Sequence, residues 1–571
     1  MAREEITGAE ALMRSLKDAG VKTIFGYPGG AIMPVFDALY DYTRGEKKTF
    51  KHILVRHEQA AAHAAEGYAR VSGEVGVCLV TSGPGATNTL TGVADAMMDS
   101  TPIVVIAGQV GVSALGTDAF QEVDLVGLAQ PISKWSYQIR RPEDIAWAVS
   151  RAFYIARSGR PGPVVLDFPK NAQVQTTEWK PVHVKSVRSY EPYPKLDEKA
   201  VEEAAALINA AKKPLALVGQ GVELGGAQNE LMEFLEKADI PAARTLLGLS
   251  ALPSDHPLNM GMLGMHGSYA PNVKEQECDV LIAIGMRFSD RVTGRLDTYA
   301  KQAKVIHLDI DRSEIDKNVK TTVAVVGDCK ISLPAITRLL KKNVHREWRD
   351  SFRPLFDQEN EKVIQPAIHP TEGPLLMGEV VNAVAEATKG DAVMVNDVGQ
   401  NQMFSCRYFK YPKKRSVVTS GGLGTMGFGL PAAIGAQFGA PDRTVCFFCG
   451  DGGFQMSIQE LGTIMEQQPA VKIFLLNNNY LGNVRQWQDM FFGKRKSFTK
   501  MMNPCYEGIC KSYGIAYNVV TDRADLAEQI RKTLAVDGPA LLECAIKEED
   551  NVLPMTAPGK SVDEMMLEIK L

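Results

Sequence analysis

From end to end the chain alternates short apolar runs with stretches of helical spacing, and Gly-, Asp- or Ser-bearing turns separate the two. Runs such as Val164–Leu166, Thr444–Cys449 and Ile473–Leu476 are strand-sized. Strands that alternate with helices imply an α/β fold on parallel sheets, because parallel neighbours need a helical crossover. The same runs are far too short to cross a bilayer, which takes about 20 consecutive apolar residues. The 571 residues correspond to about three units of ~100–200 residues.

Three blocks follow. The first runs to Asn171, with strands expected at His52–Val55, Gly76–Val80, Pro102–Ala107 and Pro163–Phe168, and helices at Glu58–Val71 and Thr87–Met98. A polar stretch from Gln173 to Glu198 reads as a linker. The second block has strands at Leu215–Val218, Val280–Ile284, Val305–Ile310 and Val323–Val326. A charged connection spans Lys341–Pro370. The third block has strands at Ala392–Val395, Ser416–Val418, Thr444–Phe448, Val471–Leu476 and Pro539–Ala545. The expected domains are therefore 1–171, 199–340 and 371–571, with linkers 172–198 and 341–370. The first and third share a strand running into a Ser-Gly turn, at Thr81–Gly85 and at Thr419–Gly424.

Charge narrows the function. Sixty-three basic residues against 67 acidic ones leave a net charge of -4, so no large basic field attracts nucleic acid or an anionic membrane. The first residues lack the apolar core of a secretory leader, so a cytoplasmic protein is expected. Nine scattered cysteines make no disulfide framework. Cys446 and Cys449 form a C-x-x-C, a spacing that zinc uses. Phe447 and Phe448 lie between them in an apolar run and no second ligand pair is near, which fits a buried strand.

The densest chemical signal is Gly450-Asp451-Gly452, then 24 residues, then Asn477-Asn478-Asn479. Each piece ends a strand. Loops at the carboxyl ends of neighbouring parallel strands converge, and ligands bind there. Asp451 offers an anionic oxygen and Asn478 an amide oxygen, which suit Mg²⁺ completed by phosphate and water. Glycines and a following helix N-terminus suit a phosphate. Either piece alone would be an ordinary turn. At this spacing the pair resembles the signature of thiamine-diphosphate enzymes. The resemblance implies that Asp451, Asn478 and the Tyr480 carbonyl bind Mg²⁺, which holds the diphosphate.

That chemistry needs a carboxyl group to activate the cofactor's aminopyrimidine, and the resemblance places it just after a strand of the first block. Glu58, opening an alanine-rich helix, matches. A first-turn Glu also simply favours the helix dipole. The resemblance adds Pro84, Asn88, Val398, Gly399, Gln400, Asn401, Gly424, Met426, Gly450, Gly452, Gly453 and Gly482 to the cofactor set. Met426 would lie under the bend of the cofactor, although a core methionine reads the same way. Because Glu58 and Asp451 lie in separate blocks, and such enzymes grip the cofactor between two chains, a homodimer or dimer of dimers is expected.

Within that group, Phe25–Ala31, Gly116–Glu122, Met262–Gly267, Arg291–Gly294 and Tyr480–Trp487 resemble the FAD-containing acetohydroxyacid synthases. The resemblance covers nearly the whole chain. It implies decarboxylation of pyruvate and transfer of the two-carbon hydroxyethyl unit to a second pyruvate or to 2-oxobutyrate. The products would be 2-acetolactate and 2-aceto-2-hydroxybutyrate, in the first common step of branched-chain amino-acid biosynthesis. Gln121, Gly30 and Lys170 would line the reaction centre. Phe120, Arg291, Met265, Val484 and Trp487 would bind substrate, with Arg291 as carboxylate clamp or else an ordinary surface ion pair. FAD would occupy the second block, near Gly219, Arg244, Met265, His266, Gly285, Arg287, Asp309, Ile310 and Asp328, although the Asp residues also read as helix caps. A small regulatory subunit is a further expected partner. Another thiamine-dependent 2-oxoacid decarboxylase or oxidase, or a non-catalytic relative, stays open at this stage. Two residues depart from the family pattern: Asn401 stands where His usually touches the diphosphate, and Gly111 where many relatives carry Pro.

Overall fold

The structure, a computed structural model, describes residues 4–569. Its core is three parallel six-stranded sheets. The first contains β1 (Thr23–Gly26), β2 (Lys51–Leu54), β3 (Gly76–Val80), β4 (Ile103–Gln109), β5 (Trp135–Gln138) and β6 (Val164–Pro169) in the order β2-β1-β3-β4-β6-β5. The second contains β7 (Pro214–Val218), β8 (Ala242–Arg244), β9 (Asn259–Met262), β10 (Val280–Ile284), β11 (Lys304–Asp309) and β12 (Val323–Val326) in the order β9-β8-β7-β10-β11-β12. The third contains β13 (Ala392–Asn396), β14 (Val417–Val418), β15 (Thr444–Gly450), β16 (Lys472–Asn477), β17 (Ala516–Val520) and β18 (Ala540–Ala545) in the order β14-β13-β15-β16-β18-β17. Every residue of β3, β4, β7 and β10 is buried. Helices cover both faces of such sheets, which is why their strands read as unbroken apolar runs.

The first and third sheets have the same strand order, strand for strand. The helices after their second strands, Glu58–Ser72 and Gly429–Gly439, cross in backbone contact. A Cβ at Gly67 would stand 2.0 Å from the Ala432 carbonyl oxygen, and one at Gly435 only 1.9 Å from that of Ala64. Only glycine admits this approach. The Ser-Gly likeness seen in the sequence does not follow this equivalence: Thr81–Gly85 comes after the third strand of its sheet, Thr419–Gly424 after the second.

Several expected elements differ in detail. The expected helix Thr87–Met98 is two, Pro84–Thr87 and Leu90–Met98. The helix that follows the Gly450-Asp451-Gly452 turn begins at Asp451 itself, directly off β15, and continues as Leu461–Gln467 after a short 3-10 turn. The first linker contributes Thr176–Glu178, which pairs with Glu5–Thr7. The second is no open connection. It folds into helices Arg346–Asp350, Arg353–Glu359 and Gln365–Ile368. Trp348 and Phe352 are buried there, and the Trp348 indole donates to the Pro214 carbonyl at 2.8 Å, anchoring the connection under the second domain. After β18 the chain crosses back to the second domain, where Thr556 N–H donates to the Met265 carbonyl at 2.9 Å.

Candidate active site

The third domain gathers its chemistry where β13, β15 and β16 end. Asp451 is fully buried, and its carboxylate accepts from Asn503 Nδ2 at 2.7 Å. The same amide donates to Asn477 Oδ1 at 2.8 Å and Asn479 Oδ1 at 3.1 Å, so one side chain ties the Asp451 loop to the asparagine loop. Asn478 Oδ1 accepts from Tyr480 N–H at 3.2 Å. Burial pushes the Asp451 carboxyl pKa up, with Asn503 pulling it back. A cation would favour the ionised form. The donors are a carboxylate, an amide oxygen and a backbone carbonyl, the hard set that Mg²⁺ takes alongside phosphate oxygens.

Beside them is a cradle for an anion. Gly399 has φ 129°, a conformation open to glycine, and starts the Gln400–Tyr408 helix. Asn401 is 4% exposed, and its amide nitrogen is 3.5 Å from where a Cβ at either Gly399 or Gly450 would sit. Its Oδ1 is buried with no hydrogen-bond partner among the described residues. A buried amide with its nitrogen beside two glycines and its oxygen unpartnered fits a site shaped for a polar ligand. Met426 Cε lies 3.8 Å from a Cβ built on Gly452, which puts the expected bend residue against the metal loop.

The first domain forms a second group. Asn88 Nδ2 donates to Glu58 Oε2 at 2.9 Å, and Glu58 Oε1 is 3.4 Å from a Cβ at Gly85. Gly83, at φ 56°, lets the Gln121 backbone come within 2.9 Å of its Cβ position. Glu58, Pro84, Asn88 and Gln121 are thereby brought together at the carboxyl ends of β2–β4. Gly30 and Lys170 are exposed at the same edge, after β1 and β6, and Phe120 is 88% exposed. Among the described residues no hydrogen bond or ion pair joins Glu58 to Asp451.

Sequence reasoning missed the clasp between these two domains. Asp95 accepts from Ser420 Oγ at 2.6 Å, and Asp99 from Gly421 and Gly422 N–H at 2.8 and 2.6 Å. Arg70 bridges Asp99 and the Thr419 carbonyl, both at 2.7 Å. First-domain carboxylates thus hold the loop that leads to Gly424 and Met426. Burial, then Glu66 and Asp99 nearby, push the Asp95 carboxyl pKa to about 8. His63 and Glu66 complete this buried group. No spacing in the sequence distinguished these acids from helix-interior residues; Asn503 likewise had no motif around it.

The second sheet has the order of dinucleotide-binding folds, with its switch point between β7 and β10. There a Cβ at Gly219 would stand 2.2 Å from the Gly285 carbonyl. A cavity of about 680 Å³ opens above, lined by Gly285, Arg287, Asp309, Ile310, Asp328, Met265 and His266, and on the far side by Gly421–Gly424. Its size suits a cofactor. Burial pushes Asp309 up to about 7 and His266 down to about 4. Arg244 sits off the cavity, donating to the Leu249 and Leu252 carbonyls at 2.7 and 3.1 Å. Its Nε is buried without a partner.

Arg291, Val484 and Trp487 share a cleft of about 830 Å³. Arg291 also lines the neighbouring cavity and pairs with Asp290 at 2.7 Å. Cys446 and Cys449 are buried within β15. Among the described residues no helix is long and apolar enough to cross a membrane.

Sequence comparison matches residues 6–128 to the thiamine pyrophosphate enzyme N-terminal TPP binding domain, 201–336 to the central domain, and 397–544 to the C-terminal TPP binding domain. The chain is 42% identical to the acetolactate synthase large subunit of Lactococcus lactis over 98% of its own length and 96% of that protein. It is 44% identical to the acetolactate synthase isozyme 2 large subunit of Escherichia coli, over 98% and 99%. With the acetolactate synthase large subunit of Cyanidium caldarium the figures are 42%, 98% and 96%. Three parallel sheets, matches to all three domains and full-length likeness agree: the chain belongs to the thiamine pyrophosphate enzymes, in the family of the acetolactate synthase large subunits.

Proposed function

We propose that the protein is an acetolactate synthase that joins pyruvate to a second 2-oxoacid, pyruvate or 2-oxobutyrate, with loss of carbon dioxide. The observation that carries this is the pairing of the Glu58–Asn88–Gln121 group with the Asp451–Asn478 loops in a chain full-length similar to such synthases. Thiamine diphosphate supplies the carbon nucleophile and the electron sink for decarboxylation. Asp451, Asn478 and the Tyr480 carbonyl would hold Mg²⁺, and Gly399, Gln400, Asn401 and Gly450 the diphosphate. Glu58 would bond the pyrimidine ring nitrogen, with Asn88 fixing its carboxyl group. Gln121, Gly30 and Lys170 border the reacting centre, and Phe120 contacts the substrate.

Arg291 pairs with the acceptor carboxylate, and Val484 and Trp487 give that acceptor an apolar wall. One methylene in such a pocket is worth only ~1–3 kcal/mol. FAD would fill the second-domain cavity as a structural group, since the net reaction transfers no electrons. The placement of Glu58 and Asp451 in different domains supports a homodimer, or a dimer of dimers, in which each site takes one half from each chain. The large-subunit names of the relatives support a small regulatory partner. A cytoplasmic location belongs to the same reading, in keeping with the near-neutral charge.

Product analysis tests this reading. The purified chain, supplied with thiamine diphosphate, Mg²⁺, FAD and pyruvate, should form acetolactate, and acetohydroxybutyrate once 2-oxobutyrate is added. Acetaldehyde as sole product, acetate with peroxide, or no turnover despite bound cofactor would each overturn it.

A further inference from the structure

Two buried glutamines connect parts of the molecule that the reaction uses separately. The Gly482–Phe491 helix turns Val484, Trp487 and Gln488 to the acceptor cleft. Its other face carries Arg485 and Gln486, both 0% exposed. Gln486 Nε2 donates to the Val552 carbonyl at 3.1 Å, and its Oε1 accepts from Val552 N–H at 2.9 Å. That reciprocal pair fixes the helix against the C-terminal segment. Gln486 Oε1 also accepts from Gln400 Nε2 at 3.0 Å. Gln400 Nε2 donates in addition to the Asp550 carbonyl at 2.8 Å. On its other side Gln400 Oε1 accepts from Asn478 Nδ2 at 3.4 Å.

This last bond has a chemical consequence. An amide side chain presents either oxygen or nitrogen to a ligand, and its partners decide which. With Nδ2 held by Gln400, Asn478 must turn Oδ1 the other way, the only end that can ligate a cation. Gly482 leaves the space for it: a Cβ there would stand 2.1 Å from Gln400 Oε1.

We infer that Gln486 is a positioning residue: with Gln400 it forms an amide relay from Asn478 to Val552 that sets at once the ligating face of Asn478 and the seat of the Trp487 helix. The inference rests on the proposed metal role of Asn478. Orienting partners of metal ligands typically matter by 10–100-fold in affinity, and a one-turn helix shift moves Val484 and Trp487 together.

The test is a double-mutant cycle on the full-length protein with Gln486→Met, Gln400→Met and both. Mg²⁺ is titrated at fixed thiamine diphosphate, and binding is read by tryptophan fluorescence with no substrate present. Each single variant should weaken Mg²⁺ about tenfold. The double should be no worse than the poorer single, because both break the same relay. Gln486→Glu keeps the oxygen that accepts from Gln400 and Val552 but loses the donor to the Val552 carbonyl and buries a charge, so it too should weaken Mg²⁺ binding. In mixed pyruvate and 2-oxobutyrate, Gln486→Met should also shift the product ratio. Wild-type Mg²⁺ affinity in Gln486→Met, or strictly additive losses, would overturn the relay. If Gln486→Met does not fold, wild-type Mg²⁺ affinity in Gln400→Met overturns it equally. Wild-type protein that makes no acetolactate refutes the proposed activity, while the substrate-free titration still judges the relay.

Discussion

The first and third domains use one strand order for opposite tasks. After the second strand, the first domain places Glu58 at the start of its helix; after the third, the third domain places Asp451 at the start of another. After the fourth strand, the first domain has Val110 and Gly111, and the third has Asn478 and Asn479, the latter at φ 56°. The scaffold supplies loop positions at one edge, and the residues in those loops decide whether the edge offers a single carboxyl group held by an amide or a set of hard oxygen donors. In the proposed site each domain supplies one half, so each should fail in its own way.

The largest effect should come from Asp451→Ala. Without the buried carboxylate, thiamine diphosphate should no longer bind in an Mg²⁺-dependent manner, and turnover should vanish; retained Mg²⁺-dependent binding by calorimetry breaks the division of labour. Glu58→Gln should bind the cofactor normally yet lose about 100-fold or more of turnover, the scale of general acid–base catalysis. Near-normal rates would remove Glu58 from that role.

Gly435→Leu addresses the helix crossing. A side chain there meets the Ala64 backbone, which cannot yield as a flexible side chain would. A loss of about 3 kcal/mol or more in unfolding free energy is expected. An unchanged denaturant midpoint would show that the equivalent helices are not locked.

The second domain provides the contrast outside the pair. Burial raises the Glu275 carboxyl from its ordinary 4.5 to about 8, with the Tyr299 hydroxyl beside it pulling the other way. A raised pKa means protonation favours the folded state, so the stability linked to Glu275 is full below pH 4.5 and is lost as the pH climbs through about 8. Glu275→Gln should therefore gain on the wild type in melting temperature between pH 5 and pH 8. A constant difference across that window contradicts the assignment.

The smallest effect tests the fourth-strand loop. Gly111 has φ -60° and ψ 148°, with open space around its Cβ position. Those angles suit proline, so Gly111→Pro should stabilise by about 0.4–1 kcal/mol through the unfolded chain. Destabilisation in a thermal melt would mean that the loop needs its freedom.

Much of this was legible beforehand, for physical reasons. Unbroken apolar runs such as β15 and β16 announce strands covered on both faces, and Gly-Asp-Gly followed by three asparagines marks two strand ends. Strand order was not legible, because each parallel strand chooses its neighbour through long-range packing. The helices within 341–370 were hidden by a charged surface that masks Trp348 and Phe352. The Asp95–Asp99 clasp and the Gln400–Gln486 relay join residues hundreds or tens of positions apart, and such bonds leave no periodic trace in a sequence. Met426 was legible only through family likeness; its contact with the Gly452 region emerged from the fold.

The bare crossing of the Glu58–Ser72 and Gly429–Gly439 helices carries one more implication. At Gly67 and Gly435 backbone meets backbone, so any bulk gained at either position must part the first domain from the third.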